Sequence, residues 1–153
     1  MNLPYKEGTV FLVPLRTGGY GRGVVARCSS KGKIVFGYFF GPRLMGIEEC
    51  HFDDLSPEET VLRLRFGDLG LIDGEWPIVG LIPNWKRSHW PMPDFIRVED
   101  RIGDERKYLV RYSDSDPSIR LFETPQIENS DFQLDVLSGY GLVEIKLTKL
   151  LGG

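Results

Sequence analysis

The residues of this 153-residue chain that could do chemistry start at Cys50-His51-Phe52-Asp53-Asp54, where a thiol, an imidazole and two carboxylates stand together. A thiolate activated by a neighbouring base is a nucleophile, and the same side chains bind metals. Adjacent residues on an extended chain point to opposite sides, however, so Cys50 and His51 do not face each other on a strand. The second histidine, His89, is far along the chain, and neither C-x-x-C nor H-E-x-x-H spacing occurs. No catalytic residue, metal site or cofactor is expected. Cys28 and Cys50 read as reduced thiols.

Two further patterns invite a ligand. Gly18-Gly19-Tyr20-Gly21-Arg22-Gly23 is glycine-rich like a phosphate loop, but it lacks the lysine and hydroxyl pair and no helical pattern follows it. It reads as a hairpin. Tyr38, Phe39 and Phe40, with Lys31, Lys33 and Arg43 nearby, would suit stacking on single-stranded nucleic acid, against which stands a sequence pI near 5.4. Trp76, Trp85 and Trp90 read mainly as core, with Trp85 or Trp90, on an irregular proline-rich stretch, better placed as an interface anchor.

The net charge of −3 hides an uneven distribution. Up to Arg43 there are seven basic residues and one acid; from Leu44 to Ile82 there are nine acids and two arginines. Unless folding interleaves the two, the acidic segment is a surface for a basic partner.

The elements that position these residues are mostly strands. Thr9–Leu15, Tyr20–Cys28 and Ile34–Phe40 are rich in β-branched and aromatic residues and separated by glycine-bearing turns, which predicts a meander; Gly41-Pro42 is expected to stop its third strand. Pro14 places the first strand at an edge or bulge, and Gly21 and Gly23 mark a bulge or a close approach. Ser56-Pro57-Glu58-Glu59 carries a helix-start pattern with a capping box, giving one turn before a half-buried strand over Thr60–Phe66. A loop over Gly67–Glu75, a strand over Trp76–Ile82, strands at Phe95–Val98 and Lys107–Tyr112 joined by a charged connector, and an irregular stretch from Asp114 to about Asp135 follow. Phe132–Leu137 is expected to add a helical turn, and the alternating Val143–Leu147 a last strand. The fold class expected is mostly β: one small antiparallel sheet domain over residues 1–153, a meander, sandwich or partly open barrel, with one or two short helical turns. No signal-peptide-like run and no bilayer-length apolar run is present, so the reading is cytoplasmic.

Three segments in order resemble the immunity protein 26 family: Lys6-Glu7-Gly8-Thr9-Val10-Phe11-Leu12-Val13-Pro14-Leu15, Gly19-Tyr20-Gly21-Arg22-Gly23-Val24-Val25, and Asp73-Gly74-Glu75-Trp76-Pro77-Ile78-Val79-Gly80. The resemblance covers roughly the first two thirds of the chain. It implies a bacterial immunity protein, not an enzyme, whose partner is the cognate toxin domain of a polymorphic toxin system; it carries over no catalytic motif. The expected partner-binding residues are the acids Glu48, Glu49, Asp53, Asp54, Glu58 and Glu59, with Trp85 and Trp90. Nucleic-acid or peptide binding by a small β module is the alternative, and an enzyme built on Cys50 and His51 a third reading.

Overall fold

The computed structural model describes residues 2–125 and 133–152. Among these residues ten strands form two sheets. The first contains β1 (Thr9–Pro14), β2 (Tyr20–Cys28), β3 (Ile34–Leu44), β4 (Leu62–Gly67), β5 (Ile78–Leu81) and β10 (Leu137–Ser138), in the order β10-β4-β3-β2-β1-β5. The second contains β6 (Phe95–Arg101), β7 (Asp104–Ser113), β8 (Asp116–Pro125) and β9 (Gln133–Leu134), in the order β8-β7-β6-β9. Two helices, α1 (Leu69–Ile72) and α2 (Tyr140–Leu151), and three short 3-10 turns complete the regular structure of the described residues. The expected meander is present: β1 to β4 pair in sequence order, all antiparallel.

The central strands are buried on both faces, which explains their unbroken apolar runs. Alternate side chains enter different cores. Phe11, Val25, Val35 and Phe39 point to one side with Phe66, Trp76 and, from α2, Val143 and Leu147. Val10, Val24, Phe36, Tyr38 and Phe40 point to the other, where Phe95, Val110 and Tyr112 of the second sheet meet them. The layers are therefore helix, sheet, sheet. The Phe11 ring stacks on Trp76 at 5.6 Å and 7°. The buried Trp76 Nε1 donates to Glu144 of α2 at 2.9 Å, and Arg16 Nε donates to the other oxygen of that carboxylate at 3.1 Å.

Several expectations are corrected. Val143–Leu147 lies in α2, not in a strand: Tyr140, Val143, Leu147 and Leu151 share one helical face against the first core, and that spacing outweighs the local alternation. Gly41-Pro42 does not stop β3. The pairing jumps from Arg22↔Phe40 to Tyr20↔Leu44, so Pro42 falls in a bulge, where its missing N–H leaves no ladder bond unmade. The loop over Gly67–Glu75 contains α1, closed by Gly74 at φ +78°. The connector from Arg101 to Arg106 is mostly strand, turning at Ile102-Gly103, and the irregular stretch after Asp114 contains the ten-residue β8. Of Phe132–Leu137, residue 132 lies outside the described residues; Gln133–Leu134 and Leu137–Ser138 are short strands rather than a helical turn.

The arginine at 65 departs from a strand that is only half buried. Its guanidinium lies 3.7 Å from the Tyr112 ring centroid and donates to the Tyr112 hydroxyl at 2.8 Å, to Asp135 at 2.9 Å and to the Pro117 carbonyl at 3.1 Å, pinning the two sheets together. Gly23 answers the close-approach expectation with a side chain, since a Cβ there would stand 2.4 Å from the Phe11 ring. Gly23→Ala is expected to lower unfolding free energy by about 1–3 kcal/mol through overpacking, measured by denaturant titration of the purified chain.

Candidate protein-binding groove

The acidic segment connects β3 to β4, and its residue types divide it into anchors and surface. Phe52 and Leu55 pack against the core between the sheets, and the Phe52 ring lies over Gly80, where a Cβ would come within 2.5 Å of it. Glu48, Glu49, Asp53, Asp54, Glu58 and Glu59 all remain exposed. Glu49 bends back to accept from the backbone N–H groups of Met45 at 2.6 Å and Gly46 at 3.3 Å, fixing the turn Ile47–Glu49. The turn expected after Ser56 forms at Pro57–Glu59 without the capping box. The Ser56 hydroxyl donates to the Glu58 carboxylate instead, and that bond holds Glu58 below its usual carboxyl range.

An arginine holds this segment down. Arg22 of β2 donates from Nη1 to the His51 carbonyl and from Nη2 to the Gly41 carbonyl, each at 2.5 Å. A second arginine on the same strand holds the facing wall, the stretch that carries Trp85 and Trp90. Arg27, 3% exposed, donates from Nη1 to the Trp90 carbonyl at 3.0 Å and from Nη2 to the Arg87 carbonyl at 3.2 Å. A register shift between Val25 and Arg27 turns this side chain towards the second sheet, where strict alternation would have sent it into the other core. The Tyr38 hydroxyl adds a bond to the Pro91 carbonyl, and Arg87 pairs with Glu7 at 3.0 Å.

Between the two walls runs a groove of about 490 Å³, with Asp53, Ser56 and Glu58 on one side and Asn84, Lys86, His89 and Trp90 on the other. Trp90 is 4% exposed, in edge contact with Tyr38 and Phe40 and stacked on Trp85 at 5.6 Å. It is a wall of the groove, not a projecting anchor. Trp85 is half-buried; its ring occupies the space beside Gly8, and its buried Nε1 has no hydrogen-bond partner among the described residues. Glu48, Glu49, Asp54 and Glu59 lie outside the groove lining, on the same segment. Lys86 and His89 were not legible as site residues. They line the same groove as Asp53 and Glu58 only because the second wall folds back across the segment, which no local spacing signals.

The charges on this segment are not neutralised within the fold, although Glu49 and Glu58 accept local hydrogen bonds. None of its six carboxylates forms an ion pair with a described residue, whereas Glu7, Asp94, Asp114, Glu123, Asp135 and Glu144 each hold an arginine. Folding has satisfied much of the acidic surface elsewhere and left this part to solvent.

A family model described as Immunity protein 26 matches residues 6–107, two thirds of the chain. The chain belongs to the immunity protein 26 family. No curated protein and no solved structure matches it. The matched residues contain both walls of the groove and both arginine clamps, while β8 and α2 lie beyond them.

Within this immunity-family fold the other candidate chemistries change. Tyr38, Phe39 and Phe40 are at most 1% exposed and are divided between the two cores, so no aromatic platform for nucleic acid exists there. Among the described residues no group of three or more His, Cys, Asp and Glu side chains gathers as a metal site. Both thiols are free and carry raised pKa values: burial pushes Cys28 up to about 11, and burial pushes Cys50 up against the opposing pull of Arg22. A raised pKa leaves less thiolate at neutral pH, the reverse of what a cysteine nucleophile needs. Alkylation of the folded protein at pH 8 should be slower than that of the unfolded chain at both cysteines, with the Cys28 rate still rising as pH approaches 11. Mass-spectrometric time courses of each site check this.

Proposed function

We propose that this protein is an immunity protein that binds and neutralises the cognate toxin domain of a polymorphic toxin system in the bacterial cytosol, acting by occupation rather than by catalysis. In this reading residues 1–153 act as one domain, and the partner docks on the segment from Glu48 to Glu59 and the groove beside it. Membership of the immunity protein 26 family supports the class of function. The single observation that carries the surface is the set of six exposed carboxylates without an internal ion pair.

The physical reasoning is electrostatic first. Many toxins that act on nucleic acid are basic around their sites, and opposite fields speed encounter and deter wrong partners. The carboxylates stay exposed until the partner arrives and hold no internal ion pair with which a partner's charge would compete. The groove then offers a firm surface for packing: Trp90 is fixed by its ring neighbours and the Arg27 clamp, and Trp85 stacks behind it. Rigid aromatic walls lose little conformational freedom on binding.

The test is co-expression with the toxin-like product encoded beside this gene. Rescue of growth together with a stable purified complex is the expected result; a neighbour toxin that is neither bound nor neutralised overturns the reading. Reversal of Glu48, Glu49, Asp53 and Asp54 to lysine should slow association about ten- to a hundredfold at low salt and flatten its salt dependence, measured by surface plasmon resonance. Association indifferent to both salt and reversal moves the contact elsewhere on the molecule and leaves the neutralising role to the rescue result.

A further inference from the structure

We propose that β8 is a self-association edge through which two copies of this chain pair antiparallel. Unpaired strand edges expose rows of N–H and C=O groups, and folds commonly protect them by keeping edge strands short. Three of the four sheet edges follow that rule: β5 has four residues, β9 and β10 two each. The fourth is β8, with ten residues, paired to β7 on one side and to no described strand on the other.

The exposed part of β8 carries three large apolar residues beside its one charged pair. Ile119 is 51% exposed, Leu121 59% and Phe122 40%. Pro117 and Pro125 bound the run, confining ladder pairing to Ser118–Thr124. The β7 register passes from Arg111↔Phe122 to Tyr112↔Arg120, so Leu121 is an extra, bulged residue.

The charges indicate what covers this edge. Arg120 and Glu123 stand on the same side of the strand, 3.4 Å apart, on either side of Leu121-Phe122 and with opposite sign; Glu123 also holds Arg97 of β6, so a further arginine joins an existing pair there. Such a pattern is complementary to itself read in reverse. An antiparallel second copy centred on Phe122, with Leu121 the extra residue of each strand, sets each Arg120 beside the other copy's Glu123 and gathers Ile119, Leu121 and Phe122 of both copies. Opposite charges and apolar pairs across adjacent strands both stabilise pairing. None of the residues lining the groove belongs to β8, so the pairing does not use the proposed toxin-binding surface.

The experiment is sedimentation equilibrium of the purified full-length chain across a wide concentration range, with amide hydrogen exchange at its two ends. The expected result is a monomer–dimer equilibrium in which amides of Ser118–Thr124 gain protection as the dimer forms. Leu121→Lys and Arg120→Glu, both at exposed side chains, should each weaken dimerisation about tenfold or more. Ile145→Lys, on the exposed side of α2, should leave it unchanged, with circular dichroism confirming the fold of each variant. A monomer at every concentration, a dimer insensitive to both β8 substitutions, or a dimer dispersed by Ile145→Lys overturns the proposal.

Discussion

The fold depends on one constraint: β1, β2 and β3 carry apolar side chains on both faces and so must be covered twice. A sheet with one wet face would have left either the Phe11 and Phe39 set or the Phe36 and Tyr38 set in water. Each buried aromatic ring removes enough apolar surface to be worth about 2–3 kcal/mol, so neither face is dispensable. Covering one face takes α2, anchored by Val143, Leu147 and the Glu144 carboxylate under Trp76. Covering the other takes the second sheet, pinned by the buried Arg65, Tyr112 and Asp135 cluster. A carboxylate and an arginine in these positions are tolerable because each is multiply hydrogen-bonded.

What was legible in the sequence follows the same division. The bounds of β2 and the turns around it stood out because β-branched and aromatic runs broken by glycines have few other readings. The continuous apolar stretches also carried the two-faced burial, since alternation within Val10-Phe11 or Tyr38-Phe39-Phe40 sends neighbours to different cores. β8 was hidden because its exposed residues obey no buried periodicity; pairing with β7, not an apolar face, makes it a strand. α2 was hidden because Val143–Leu147 alternates over five residues, and only the longer window from Tyr140 to Leu151 shows the helical face. Of the candidate site, the acids were readable as a surface by charge alone. The wall opposite them was not, because it is assembled by contacts between β2 and residues about sixty positions later.

The groove is thus a product of the scaffold more than of its own lining. Arg22 and Arg27 leave the same strand, and between them they fix the positions of two segments that carry little regular structure. The segments in turn contribute anchors inward, Phe52 and Leu55 from one and Trp90 from the other, and polar groups outward. This separation lets one stretch of chain serve packing and surface at once.

Both arginines grip backbone carbonyls, those of His51 and Gly41 on one side and of Arg87 and Trp90 on the other. A carbonyl is present whatever side chain its residue bears. The outward residues of the two walls can therefore be exchanged wholesale without loosening the clamps, provided that the inward anchors stay apolar. Such a scaffold decouples surface from folding, and lets related chains vary their loop side chains while the frame stays as it is.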